Sequence, residues 1–255
     1  MKKALKVIFL VLILMIILGL IGLVGYGYYK KATINVENPV ATMEVEGFGT
    51  IKLELYPDIA PETVANFVTL ANNGYYDGLT FHRIVKDFMI QGGDSKGDGT
   101  GSVSKSALNK DIEKDSDEDK AYTIKGEFIA NGVKNTLKHE EGVISMARAD
   151  YTQYSASLAE KSYNSAGSQF FIMTKNNTSL DGKYASFGKV TEGLDVVHKI
   201  EKVEVKKGEN SDEASTPVKA PVIKSIKVDT KGVDYGMPET LEPFDLSSYF
   251  STSVQ

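Results

Sequence analysis

Cysteine is absent from all 255 residues. That excludes thiolate chemistry, a disulfide framework, cysteine-held metal and a lipid anchor on cysteine. The three histidines, His82, His139 and His198, are far apart and lack the H-x-H or H-x-x-x-H spacing of a zinc site. A formal net charge of −5, with no basic cluster in the polar part of the chain, argues against nucleic acid as a partner. No Walker-type or G-x-G-x-x-G loop opens a helix; the glycine-rich stretch from Gly97 to Gly101 reads as a surface loop. Ser168, in Ala-Gly-Ser-Gln, lacks the second glycine of a nucleophile elbow. What remains is a set of polar, non-nucleophilic side chains beside apolar ones. It suits a reaction in which no bond is made or broken, with no cofactor and no metal.

Two blocks carry most of the information. From Phe81 to Asp94 the chain reads FHRIVKDFMIQGGD, and from Asn164 to Ile172 it reads NSAGSQFFI. Together they resemble the cyclophilin family of peptidyl-prolyl cis-trans isomerases, over roughly Ala41 to Asp229. Rotation about an X-Pro amide has a barrier of about 20 kcal/mol and takes tens of seconds or more uncatalysed. At the twisted transition state the amide loses resonance and the prolyl nitrogen regains a lone pair. A fixed donor aimed at that nitrogen binds the twisted form better than either planar form, and the difference lowers the barrier. Arginine suits the task, being always charged and having a planar fork of donors. In this reading Arg83 is the donor, Gln91 holds the substrate carbonyl or orders Arg83, and Phe88, Met89, Phe171 and Leu180 form a dry pocket for the proline ring.

The resemblance places the roles residue by residue. The family's essential arginine lies in a Phe-His-Arg triplet, here Phe81-His82-Arg83. Its pocket phenylalanine, methionine and glutamine correspond to Phe88, Met89 and Gln91, which makes Arg83, Phe88 and Gln91 the catalytic candidates. Ala147 and Arg148 fall at the peptide-contacting positions of a strand beginning near Val143. Many members have Asn where Arg148 stands, so hydrogen bonding there is assigned to the main chain. Gln169 and Phe171 match the second block, and Leu180 to Tyr184 match the pocket-closing loop, with Tyr184 where many eukaryotic members have His. Phe170 is expected to point into the core, because strand neighbours alternate faces. His82 reads as a structural hydrogen-bonder.

The acidic run from Asp111 to Lys120 places Asp115, Asp117 and Asp119 at the 1-3-5 spacing of an EF-hand loop. Lys120 stands where the turn glycine is required, however, and Gly126 where the bidentate Glu belongs; a solvated loop is the reading. Residues 1–31 read as a signal anchor, with a cleaved signal peptide as the alternative. Val7 to Tyr29 run without a charge, and those 23 residues would span about 35 Å as a helix. Three lysines precede the run and two follow it, which puts the N-terminus in the cytoplasm and the rest outside, in a single-pass cell-membrane protein. The lysine-rich, cysteine-free composition suggests a bacterial source.

A tether over residues 32–40 would lead to an isomerase domain at 41–230 and a tail at 231–255. Within the domain, alternating strands flank Gly47-Phe48-Gly49, a helix opens at Pro61 and closes at Gly74, and a second short helix carries Leu194, Val197 and His198. The fold expected is mainly β, a closed eight-stranded antiparallel cyclophilin-like barrel capped by two helices. Asp150 to Tyr163 reads as an inserted loop, Lys206 to Pro221 as a solvated connection, and the tail shows no sustained periodicity. The partners expected are proline-containing unfolded or translocated polypeptides, folding outside the membrane. A non-catalytic proline-peptide-binding or chaperone module is the alternative, and a surface scaffold a weaker one. Ser179 stands where many eukaryotic members have the Trp tied to tight cyclosporin binding. The loss of that indole predicts weak cyclosporin affinity with isomerase activity retained; nanomolar potency in an inhibition titration would contradict it.

Overall fold

The computed structural model describes residues 37–208 and 213–253, together with Met15 and Gly19. The chain divides into two units, Met1–Glu37 and Asn38–Gln255, and all the elements below belong to the second. Alternation builds the first hairpin: Met43 and Val45 on β1 (Val40–Val45) and Ile51, Leu53 and Leu55 on β2 (Gly49–Leu55) are buried, while the polar residues between them are partly exposed. Helix α1 (Pro61–Asn73) has proline in its first turn and left-handed Gly74 at its end, the positions where each residue fits best. Its first amides are capped from far along the chain. The buried Glu127 carboxylate accepts hydrogen bonds from the amides of Glu62 and Thr63, at 3.2 and 2.8 Å, and from the Thr63 hydroxyl at 2.6 Å.

The chain continues through β3 (Thr80–Val85), β4 (Met89–Asp94), β5 (Val103–Ser104), α2 (Lys105–Leu108), β6 (Ala121–Ile124) and β7 (Val143–Met146). It then forms α3 (Ala159–Tyr163), β8 (Phe170–Met173), β9 (Ser186–Glu192), α4 (Leu194–Glu201), β10 (Val205–Lys207) and β11 (Ala214–Pro217). Last come β12 (Ile223–Asp229), β13 (Thr240–Leu241) and α5 (Leu246–Ser253). The main sheet has eight strands in the order β12-β1-β2-β9-β7-β8-β4-β3. Helix α1 packs against β12, and α4 against β2 and β4. One cross-strand row, Ile84, Ile90, Ile172 and Ile144, runs through four strands of the sheet and is fully buried. Gly93 allows β4 to lie under the chain entering β8: its φ is 84°, and a Cβ there would meet the Ser168 carbonyl.

The sheet is not the closed barrel expected. Its end strands, β3 and β12, share no ladder; a single bridge, Thr80 with Val222, and a few flanking amide bonds join that edge. Pro221, which accepts from the Phe81 amide at 2.9 Å, has no N–H with which to extend the pairing. The fold is therefore an open, curled half-barrel. One further expectation changes. The connection from Lys206 to Pro221 includes paired strands, β10 with β11. The tail beyond residue 231 holds β13, paired to β6, and α5; two-residue pairing leaves no periodicity to read.

The membrane anchor is also corrected. No helix among the described residues is long and apolar enough to cross a membrane. The span inferred from hydropathy over residues 1–31 lies, apart from Met15 and Gly19, outside the described residues. Membrane attachment, a cytoplasmic N-terminus and an extracytoplasmic domain therefore have no structural support.

Helix α4 is docked by one buried carboxylate. Glu201 accepts from the Asp87 amide at 2.7 Å, from the Thr174 hydroxyl and from His198 Nδ1 at 3.0 Å. Burial pushes its pKa up, but the bonds from Thr174, His198 and Asp87 outweigh that and hold it below 4.5. Stability from this depressed pKa is present above the unfolded value and lost as pH falls through the folded one. Glu201→Gln is expected to destabilise the protein by about 1–2 kcal/mol at pH 7. Urea unfolding should show that gap shrinking as the pH drops below the normal carboxylate range; a pH-independent gap would refute the assignment.

Candidate active site

A bulge in β3 decides where the arginine points. Phe81 pairs with Gly92 and Arg83 with Gln91, so two steps along β3 match one step along β4, and His82 is the extra residue. In a regular strand Phe81 and Arg83 would share a face. The bulge separates them, as bulges near functional sites do: Phe81 is fully buried in the core, and Arg83 is left partly exposed. His82 is buried by the same bend. The Thr80 backbone and the Asp94 carboxylate lie against its ring. Burial lowers its pKa.

Beside Arg83 the pairing continues outward, with Gln91 opposite Phe171. Phe171 belongs to a second apolar cluster with Met89, Val143 and Met173, on which Phe88, Ala147, Leu180 and Tyr184 pack. Phe170, its neighbour, is in the main core, as alternation requires. The second cluster floors a cavity of about 230 Å³. Arg83, Phe88, Met89, Gln91, Ala147, Arg148, Phe171, Leu180 and Tyr184 all line it, so the structure gathers every expected site residue except Gln169. Gln169 is one bond away, its Oε1 accepting from Gln91 Nε2 at 3.0 Å. Ser179 is exposed on the turn preceding the closing loop and does not line the cavity.

Arg83 sits at the lip. Its Nη1 lies 3.4 Å from Gln91 Oε1 and 3.9 Å from Met89 Sδ, and its Nη2 donates to Glu213 Oε2 at 2.9 Å. The turn carrying Phe88 is pinned from behind: Asp87 adopts a left-handed φ of 57°, and its amide is held by Glu201. Arg148 braces the closing loop. It donates through Nε to the Lys183 carbonyl at 3.1 Å, and its guanidinium lies 4.6 Å above the Tyr184 ring and 5.4 Å from that of Tyr163. Beneath the same loop His139 contacts Asp181 at 3.1 Å and stacks on Phe171 at 6.1 Å. Burial lowers the His139 pKa against the opposing pull of Asp181.

A second cavity of about 370 Å³ adjoins the first and shares Gln91, Ala147 and Arg148 with it. Gln169, the loop from Gly99 to Val103 and Pro243 of the tail border it. The expected surface loop is thus part of the groove, tied down by Gln169 Nε2 donating to Gly99 O at 3.1 Å. Sequence reasoning missed Glu213, Glu201, His139 and Pro243. Glu201 stands three residues after His198 on a helix, a spacing that signals a side-chain pair. Glu213 is one acid in a charged connection, and no sequence signal joins it to Arg83. Among the described residues, no three His, Cys, Asp or Glu side chains gather as a metal site. The arrangement can hold a small apolar ring against a fixed cationic donor and two amides.

Known proteins resemble this chain over much of its length. A family model described as cyclophilin type peptidyl-prolyl cis-trans isomerase/CLD matches residues 40–228. The peptidyl-prolyl cis-trans isomerase-like 1 protein of Neurospora crassa is 39% identical over 177 residues, covering 69% of this chain and 90% of that protein. Peptidyl-prolyl cis-trans isomerase B of Bacillus subtilis is 40% identical over 151 residues, covering 59% of this chain and 82% of that one. Isomerase 9 of Schizosaccharomyces pombe is 42% identical over 159 residues, 62% of this chain, but the match spans only 21% of that longer protein; for cyp15 of Rhizopus delemar the share is 20%. A Cryptosporidium parvum cyclophilin-type isomerase, crystallised in the presence of the dipeptide ala-pro, superposes with a TM-score of 0.56 at 28% identity, covering 74% of this chain and 98% of that one. Relatives occur in fungi, a plant, a mammal and a bacterium, so the bacterial source inferred from composition has no support. With residues 40–228 matched by the family model, the chain belongs to the cyclophilin-type peptidyl-prolyl cis-trans isomerases.

Proposed function

We propose that this protein speeds cis–trans rotation of X-Pro bonds in unfolded polypeptide segments, with Arg83 as the donor to the prolyl nitrogen. One observation carries the reading: the Arg83 guanidinium stands at the mouth of an apolar cavity of about 230 Å³ floored by Met89 and Phe171. The cavity is smaller than the roughly 300–1,000 Å³ of sites for drug-sized ligands and suits a single ring. Phe88 and Leu180 flank that ring, and exclusion of water strengthens the donor's pull on the emerging lone pair. Gln91 accepts from Arg83 and donates to Gln169, so its amide is held in one orientation and sets that of the fork. Ala147 and Arg148 supply the edge along which the peptide backbone lies. The rest of the catalytic power is positional, since nothing in the site needs to gain or lose a proton.

The test follows relaxation of a cis X-Pro peptide with the full chain, with Arg83→Ala and with Arg83→Lys. Arg83→Ala is expected to lower kcat/KM by about 100-fold or more, roughly 3 kcal/mol. Arg83→Lys keeps the charge but loses the planar fork, and should fall between the two. Circular dichroism should show all three folded alike. If the unmutated chain binds proline peptides without speeding relaxation, the domain is a binding module instead.

A further inference from the structure

The C-terminal tail follows a defined course. The Glu239 amide donates to Glu62 Oε2 at 2.7 Å, on the first turn of α1. Thr240 and Leu241 then pair antiparallel with Ile124 and Thr123, adding β13 to β6. Two residues later Pro243 reaches the wall of the second cavity. Phe244 meets the Tyr151 ring at 5.2 Å, and Phe250 on α5 meets Tyr154 at 5.6 Å. Tyr151 and Tyr154 belong to the loop inserted between β7 and β8, so two additions to the half-barrel hold each other beside the groove. The loop's own start is fixed by the Ser162 hydroxyl, which accepts from the Tyr151 amide at 2.7 Å.

The tail borders the second cavity and takes no part in lining the first. A strap that blocked the enzyme would cover the cavity floored by Met89 and Phe171; this one leaves it open. The two cavities are neighbours, with Gln91, Ala147 and Arg148 in the walls of both. A peptide with its proline in the first therefore carries a neighbouring side chain to the second, given an extended reach of about 3.3–3.6 Å per residue. We propose that the segment from Met237 to Phe250 determines specificity: through Pro243 it forms a wall that limits the size of the substrate side chain admitted beside the X-Pro pair. This rests on the reading of the first cavity as the proline site.

The experiment compares the full chain with a chain ending at Gly236, using X-Pro peptides in which each of the three residues on either side of the pair is changed in turn from Ala to Phe or Trp. Truncation is expected to raise kcat/KM for the bulky residue over Ala at one of these positions by about tenfold, the scale on which apolar pockets discriminate. Pro243→Trp, which thickens the wall within an intact chain, should shift the same ratio the opposite way. A thermal melt of each variant separates misfolding from altered preference, and the Pro243→Trp arm decides if the shortened chain does not fold. A uniform change across all peptides would make the tail an inhibitor or a prop, and an unchanged profile would make it a bystander; either overturns the proposal. A full chain inactive on every peptide would instead refute the isomerase reading.

Discussion

The groove depends on the register of four strands. Arg83 opposite Gln91 and Gln91 opposite Phe171 form one row across β3, β4 and β8, and the adjacent row is the buried isoleucine series. Because side chains alternate, a slip of one residue on β4 would send Ile90 outward and Gln91 into the core. Burial of four isoleucines, at about 1.5–3 kcal/mol each, therefore fixes the position of the polar row as well. The bulge at His82 is the exception that makes the row useful. It frees Arg83 from the face that Phe81 occupies and buries the histidine between them.

The guanidinium is restrained on two sides. Gln91 faces one terminal nitrogen, and Glu213, from the segment leading into β11, holds the other. The carboxylate is about half exposed, so the ion pair adds little to stability. Its effect is to limit rotation of the fork. Around this pair the supports are buried and polar: Glu201 under the Phe88 turn, and His139 with Asp181 under the closing loop. Glu201 ties the Phe88 turn to α4, and His139 ties the closing loop to the chain ahead of β7, so the mouth is shaped by side chains remote from it in sequence.

The motif residues were legible because each is a side-chain type in a fixed local order, and all but Gln169 meet at one cavity. Helix α1 was legible from Pro61 and Gly74, and β1 and β2 from alternation. What was not legible came from contacts made over long sequence distances. Whether β3 meets β12 depends on a proline at residue 221 and on sheet curvature, neither of which alternation encodes. Glu213 reaches Arg83 across 130 residues with no pattern joining them. The pairing of Thr240 and Leu241 to β6 is too short to leave a period. The apolar run over residues 1–31 reads as a span from hydropathy, but apart from Met15 and Gly19 it lies outside the described residues, among which no helix is of membrane length.

The core of the half-barrel and the floor of the cavity beside Arg83 are separate apolar clusters, one on each side of the same sheet. Phe170 and Phe171, adjacent in the chain, belong to different ones. Ligand-facing and fold-bearing positions are thus divided by a layer of hydrogen-bonded backbone. Such a partition lets mutations drift on the ligand side without each one being filtered first for its effect on folding. It gives a scaffold of this kind room to diversify its clientele while keeping one architecture.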